Sequence, residues 1–194
     1  MSDFYRACVK LYASEPGGEG TRDAELFVPV FHDWIRDGAL DMVAIDVADY
    51  AHVPDSPGIM LVAHEAAFAL DRSDGRFGLF VQRRTPSDGG PVAAVATTLR
   101  HALQVAARLE REPRLSGILK FEAAALRIEA NDRLLLPNSE EGYAAFEPIV
   151  REAIAQVFPG SSIGIERIEN DPRDRLAVAV RTGAAVDLQE YLAA

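Results

Sequence analysis

Three stretches of this chain recur in the same order further along it, and that repetition restricts the fold more than any other feature. Residues 9–13 (Val-Lys-Leu-Tyr-Ala) match residues 126–130 (Leu-Arg-Ile-Glu-Ala) as apolar, basic, apolar, any, Ala. Residues 27–35 match residues 146–154 through Phe-x-Pro followed by an apolar pair, and residues 45–49 match residues 165–169. The offsets are 117, 119 and 120, the slow drift that small loop insertions produce. Proline inside a helix costs roughly 3 kcal/mol outside the first turn. Finding it two places after a Phe in both stretches, at Pro29 and Pro148, points to common descent.

Local patterning supplies the elements. Tyr5 to Ala13 reads as a strand, followed by a glycine-rich loop, and Thr21 or Asp23 is expected to cap a helix that Asp37-Gly38 ends. Strands are expected at 42–48, 58–64, 66–72 and 77–84, the last two joined through Ser73-Asp74-Gly75-Arg76, a hairpin signal. The longest helix, 92–111, has Val92, Val95, Leu99, Leu103, Ala106 and Leu109 on one stripe. Thr97, His101, Gln104, Arg108 and Arg111 are read as its wet face. A strand at 118–130, a helix capped by Ser139 and reaching Val157, strands at 162–168 and 175–181, and an amphipathic turn at 186–192 complete the chain.

The expected fold is therefore α+β: two β-α-β-β units related by a pseudo-twofold, their strands in a mainly antiparallel sheet with helices on one face. The first copy with its added hairpin spans 1–84, the long connecting helix 85–117 and the second copy 118–194, as one compact unit. A fold of this history suggests descent from a homodimer.

Charge and composition narrow the setting. A net charge of −10 argues against nucleic acid and against anionic membranes as partners. No apolar run reaches the roughly 20 residues of a membrane span, and the N-terminus lacks the basic and apolar regions of a secretory signal. With one cysteine, Cys8, no disulfide can form within the chain, which fits a reducing, cytoplasmic setting. Cys8 lies in an apolar segment and reads as a small buried hydrophobe. Eighteen arginines against two lysines fit a bacterial-like, GC-rich composition. Arg83 and Arg84, with Arg100, Arg108, Arg111 and Arg114, could gather at one end and meet an acidic partner; Arg100, Arg108 and Arg111 are the partner-binding candidates.

Chemistry is sought where the two copies differ. Asp46, Asp49, His52 and Asp55 recur every third residue, and His64-Glu65 could be brought back beside them. Neither histidine has a counterpart in the second copy. Imidazole with carboxylate can ligate Zn²⁺, Fe²⁺ or Mn²⁺, with His52, His64 and Asp49 as candidate ligands, and can also act as a general base. The spacing matches no metal motif, and a polar Asp-Pro-Gly connection is an ordinary way to turn between strands. His32 and His101 have no partner at helical spacing. No nucleophile elbow, phosphate loop or dinucleotide fingerprint is present, and no cofactor is indicated. Two functions follow: a non-catalytic binding or assembly protein acting through protein contacts or dimerisation, or a small enzyme or metal-dependent binder using the His/Asp/Glu set.

Overall fold

The structure is a computed structural model that describes residues 6–14, 26–50, 58–183 and 186–192. It is α+β, with an eight-stranded sheet and three helices among the described residues. The strands are β1 (Ala7–Ser14), β2 (Ala44–Asp49), β3 (Ile59–Ala63), β4 (Ala66–Asp71), β5 (Gly78–Arg83), β6 (Lys120–Ala130), β7 (Ile163–Arg167) and β8 (Ala177–Thr182). The helices are α1 (Phe27–Asp37), α2 (Gly90–Arg111) and α3 (Glu140–Val157), and a 3₁₀ turn at Leu188–Leu192 follows β8. The sheet order is β2-β3-β4-β5-β1-β6-β8-β7, and every pairing is antiparallel. β1 and β6 lie at its centre, and β2 and β7 form its two edges.

Local signals place most boundaries. Ser139 accepts the Gly142 amide at 3.1 Å and starts α3, with Glu140 and Glu141 in its first turn. Gly38, at φ 60°, ends α1, and Gly75, at φ 83°, turns the β4–β5 hairpin. The expected start of α1 at Thr21 or Asp23 lies outside the described residues. The two prolines occupy different helical settings. Pro29 is the third residue of α1 as described, in the turn where an amide has no helical partner, whereas Pro148 lies inside α3.

Alternation along β1 separates the two faces of the sheet. Val9 and Leu11 turn towards the helices and join one core with Phe31, Leu61, Phe68, Leu99, Ile128 and Val180. Cys8 and Tyr12, also buried, stand outside that core on the opposite face, as do Ala67, Ala69 and Ala177. α2 packs over the centre of the sheet against β1, β5 and β6, with α3 and the 3₁₀ turn against its flanks. This placement corrects the expected wet face: Thr97, His101, Gln104 and Arg108 are half-buried, and Thr98 is buried with its hydroxyl on the Ala94 carbonyl at 2.6 Å. Arg100 and Arg111 are exposed. No helix among the described residues is long and apolar enough to cross a membrane.

Candidate functional site

Lys10 lies in the middle of the central strand with 1% of its surface exposed, and a buried ammonium requires carboxylate partners. Asp71 and Asp74, at the end of β4 and in the hairpin turn, supply them at 2.7 and 2.5 Å. Tyr12 donates its hydroxyl to Asp74 at 3.0 Å, and the Ser73 amide and hydroxyl both donate to Asp71. The Arg76 guanidinium stacks 3.8 Å over the Tyr12 ring. On the other side of Lys10, Arg127 donates to Glu129 at 2.8 Å, and Arg175 reaches the same carboxylate at 3.3 Å. The hairpin turn is thereby fastened onto the face of the sheet that carries no described helix.

These contacts set the titration of their members. Burial alone would raise Asp74, but the hydrogen bond and charge of Lys10, aided by Tyr12, hold it below its ordinary value. Burial, then the Asp74 carboxylate, pushes Tyr12 up to about 12. Burial also pushes Cys8 up to about 12, although Arg175 lies 3.5 Å from its Sγ and acts in the opposite sense. At that value the thiolate is scarce, and Cys8 behaves as the small hydrophobe its sequence context suggests. Sequence reasoning missed this network. Its one signal was a lysine amid apolar neighbours in a strand.

The residues singled out between Asp46 and Glu65 are distributed along the β2–β3 edge. Asp46 is exposed, and its Oδ1 accepts the Val47 amide at 2.8 Å. Asp49 pairs in register with Ile59, at the start of β3, whereas His64 follows the end of β3 and donates its amide to Val43. Five residues of rise separate Ile59 from His64, about 17 Å. His64 and Glu65 therefore return beside Val43 and Ala44 rather than beside Asp49. His52 and Asp55 lie outside the described residues. Among the described residues, no group of three or more His, Cys, Asp or Glu side chains could hold a metal ion.

Glu65 has different company. Its carbonyl accepts the amides of Arg84 and Thr85, which follow β5, and α2 brings His101 close. Burial first, and then the Arg83 charge, lower His101, while Glu65 and Asp41 act the other way. Four buried side-chain atoms here, Glu65 Oε2, Arg83 Nε, Thr85 Oγ1 and His101 Nδ1, have no hydrogen-bond partner among the described residues. Beside them opens a cleft of about 570 Å³, lined by Trp34, Leu40, Asp41, Met42, Val43 and Glu65 among others. Val43, Ile45 and Tyr50, around the β2 edge, are 69%, 53% and 44% exposed.

The arginines expected to gather at one end are mostly engaged. Arg83 donates to the Pro86 carbonyl and Arg84 to the Ala63 carbonyl, and Arg114 pairs with Glu112 and Asp33. Arg108 lies 5.9 Å over the Trp34 ring. Arg100 and Arg111 remain exposed, three helical turns apart on one side of α2. No family model matches the chain, and no curated protein matches it.

Proposed function

We propose that this is a non-catalytic binding protein that docks a basic, partly apolar segment of another protein at the β2 edge. The observation that carries the reading is the exposure of Val43, just before the terminal strand β2, and of Ile45 on it, beside an open cleft rimmed by Asp41 and Glu65. Exposed apolar side chains on a sheet edge invite association unless something covers them. Asp46 already holds the Val47 amide, and the register shifts between Ala44 and Asp46, so the contact is made through side chains rather than by adding a strand. Self-association through this edge would bring Asp46 carboxylates of two copies towards each other, which like charges oppose. A partner carrying Lys or Arg meets no such penalty.

Selection from a displayed library of random 12-residue peptides tests the reading. Peptides retained by the wild-type protein are expected to combine apolar and basic residues and to lose binding to a Val43→Asp/Ile45→Asp variant. An unproductive selection, or peptides that bind the variant equally well, would overturn it.

We also infer an internal duplication with pseudo-twofold symmetry. Register supports it: the sequence matching equates Lys10 with Arg127, and these two residues pair across the β1–β6 ladder. A twofold axis between antiparallel strands brings equivalent residues opposite each other, and in the sheet order it sets β5 and β4 against β8 and β7. By position the outer strands β2 and β3 are then the addition, whereas the sequence match of residues 45–49 with 165–169 equates β2 with β7. A cytoplasmic setting, supported by the single buried cysteine, belongs to the same reading.

The second reading, a small enzyme or ligand binder, draws its support from Glu65 and His101 with their unpartnered atoms. Native mass spectrometry and metal analysis of the purified protein test it; a bound metal or small molecule lost on Glu65→Gln would favour it over docking.

A further inference from the structure

On the helix-free face, six charges alternate in sign along one unbroken chain. Asp71 meets Lys10 at 2.7 Å, Lys10 meets Asp74 at 2.5 Å and Asp74 meets Arg127 at 3.8 Å. Arg127 then meets Glu129 at 2.8 Å, and Glu129 meets Arg175 at 3.3 Å. Inner members have an opposite charge on both sides, whereas among the described residues each terminal member has one on one side only. The chain therefore has a negative pole at Asp71 and a positive pole at Arg175.

Both poles line the same cleft, of about 270 Å³. Its floor is low because β4 presents Ala67 and Ala69 where the neighbouring strands present larger side chains. Met60 pairs in register with Ala69 from β3, and Phe80 pairs with it from β5. The result is a trough with an apolar floor, with Ser73 beside the Asp71 end and, at the Arg175 end, Gln82 and the Glu129 carboxylate that Arg175 holds from one side. Ala67 and Asp71 are four residues apart on one strand, about 13 Å. Arg175 keeps about a third of its side chain exposed, so its outer nitrogens are accessible to an anion.

We propose that this trough binds a dipolar ligand: an apolar spine of about 10–13 Å carrying an ammonium at one end and a carboxylate at the other. Such a ligand places its cation by Asp71 and Ser73, its anion by Arg175, and its methylenes over Ala67 and Ala69. A ligand with one charge satisfies one pole and leaves the other to water. This site lies on the face opposite the helices and is independent of docking at the β2 edge.

The test uses 8-aminooctanoate, octanoate and octylamine as probes of the full chain, with binding read by calorimetry and by amide shifts of Ala67, Ala69 and Arg175. The expected result is that 8-aminooctanoate binds about tenfold or more tightly than either singly charged probe. Ala69→Leu, which fills the floor, is expected to weaken all three. Arg175→Gln keeps the trough and is expected to reduce 8-aminooctanoate to the level of octylamine. Should Ala69→Leu fail to fold, Arg175→Gln decides alone. The proposal is overturned if the three probes bind equally, if none binds, or if Arg175→Gln leaves the preference for 8-aminooctanoate intact.

Discussion

Lys10 and Arg127 face each other across the two central strands and hold the same carboxylate, Asp74, the ammonium at 2.5 Å and the guanidinium at 3.8 Å. Through that carboxylate the β4–β5 turn is fastened to the middle of the sheet. A buried pair of this kind is expensive to break from one side, because the partner left behind remains charged and dry. Lys10→Met is therefore expected to destabilise the fold by about 3–5 kcal/mol in chemical denaturation. Adding Asp71→Asn and Asp74→Asn to that variant is expected to recover part of the loss. Three strictly additive losses would show that the charges act separately.

The network also sets the limits of stability in pH. Asp74 titrates below its ordinary value of 3.8 in the fold, so its contribution is present above that pH and is lost as pH falls through the lower folded value. Tyr12 behaves in the opposite sense. Its folded value of about 12 exceeds the ordinary 10, so its contribution is complete below pH 10 and is lost between 10 and about 12. Ultraviolet titration of phenolate formation is expected to show a late-ionising tyrosine that Tyr12→Phe removes. A titration unchanged by that substitution would contradict the assignment.

His101 supplies a separate check, on the packing of α2. Its folded value lies below the ordinary 6.5 because the imidazole is enclosed and Arg83 is near. Stability linked to it is present above 6.5 and diminishes as pH falls through that value towards the lower folded one. Proton–carbon NMR of the four histidines is expected to show His101 titrating below 6.5. Titration of His101 at or above 6.5 would return it to the wet face that the sequence pattern suggested.

Much of the scaffold was legible beforehand because its signals are local. The Ser139 cap, the Gly38 stop and the Asp74-Gly75 turn each depend on residues within a few positions, and all three are where the pattern placed them. The network on the helix-free face depends on contacts between distant positions. Lys10 meets Asp71 and Asp74 across 61 and 64 residues, and strand order, which no local pattern encodes, brings them together. His101 was misread for a related reason: a helical stripe identifies the first buried face, but α2 also meets the strand ends where Arg83, Glu65 and Asp41 stand around His101. Within the candidate region, register decided the outcome. Pairing of Asp49 with Ile59 carries it away from His64, while Glu65 folds towards β5 and α2.

Close backbone approach gives another test of the sheet. Gly78 pairs with Tyr12 on β1, and a Cβ at this position would press into the Leu11 carbonyl. Gly78→Ala is expected to cost about 1–3 kcal/mol, whereas Gly75→Ala meets no neighbouring atom and is penalised only by its φ of 83°. Equal losses in thermal unfolding would place the β1–β5 register in doubt.

Docking at the β2 edge is tested most directly by amide NMR with a selected basic peptide. Shifts and broadening concentrated at Val43, Ile45 and Glu65, and abolished by Val43→Asp/Ile45→Asp without loss of fold, are the predicted result. A tightly bound peptide that perturbs α2 around Arg100 and Arg111, or the helix-free face, while leaving β2 unchanged would contradict it.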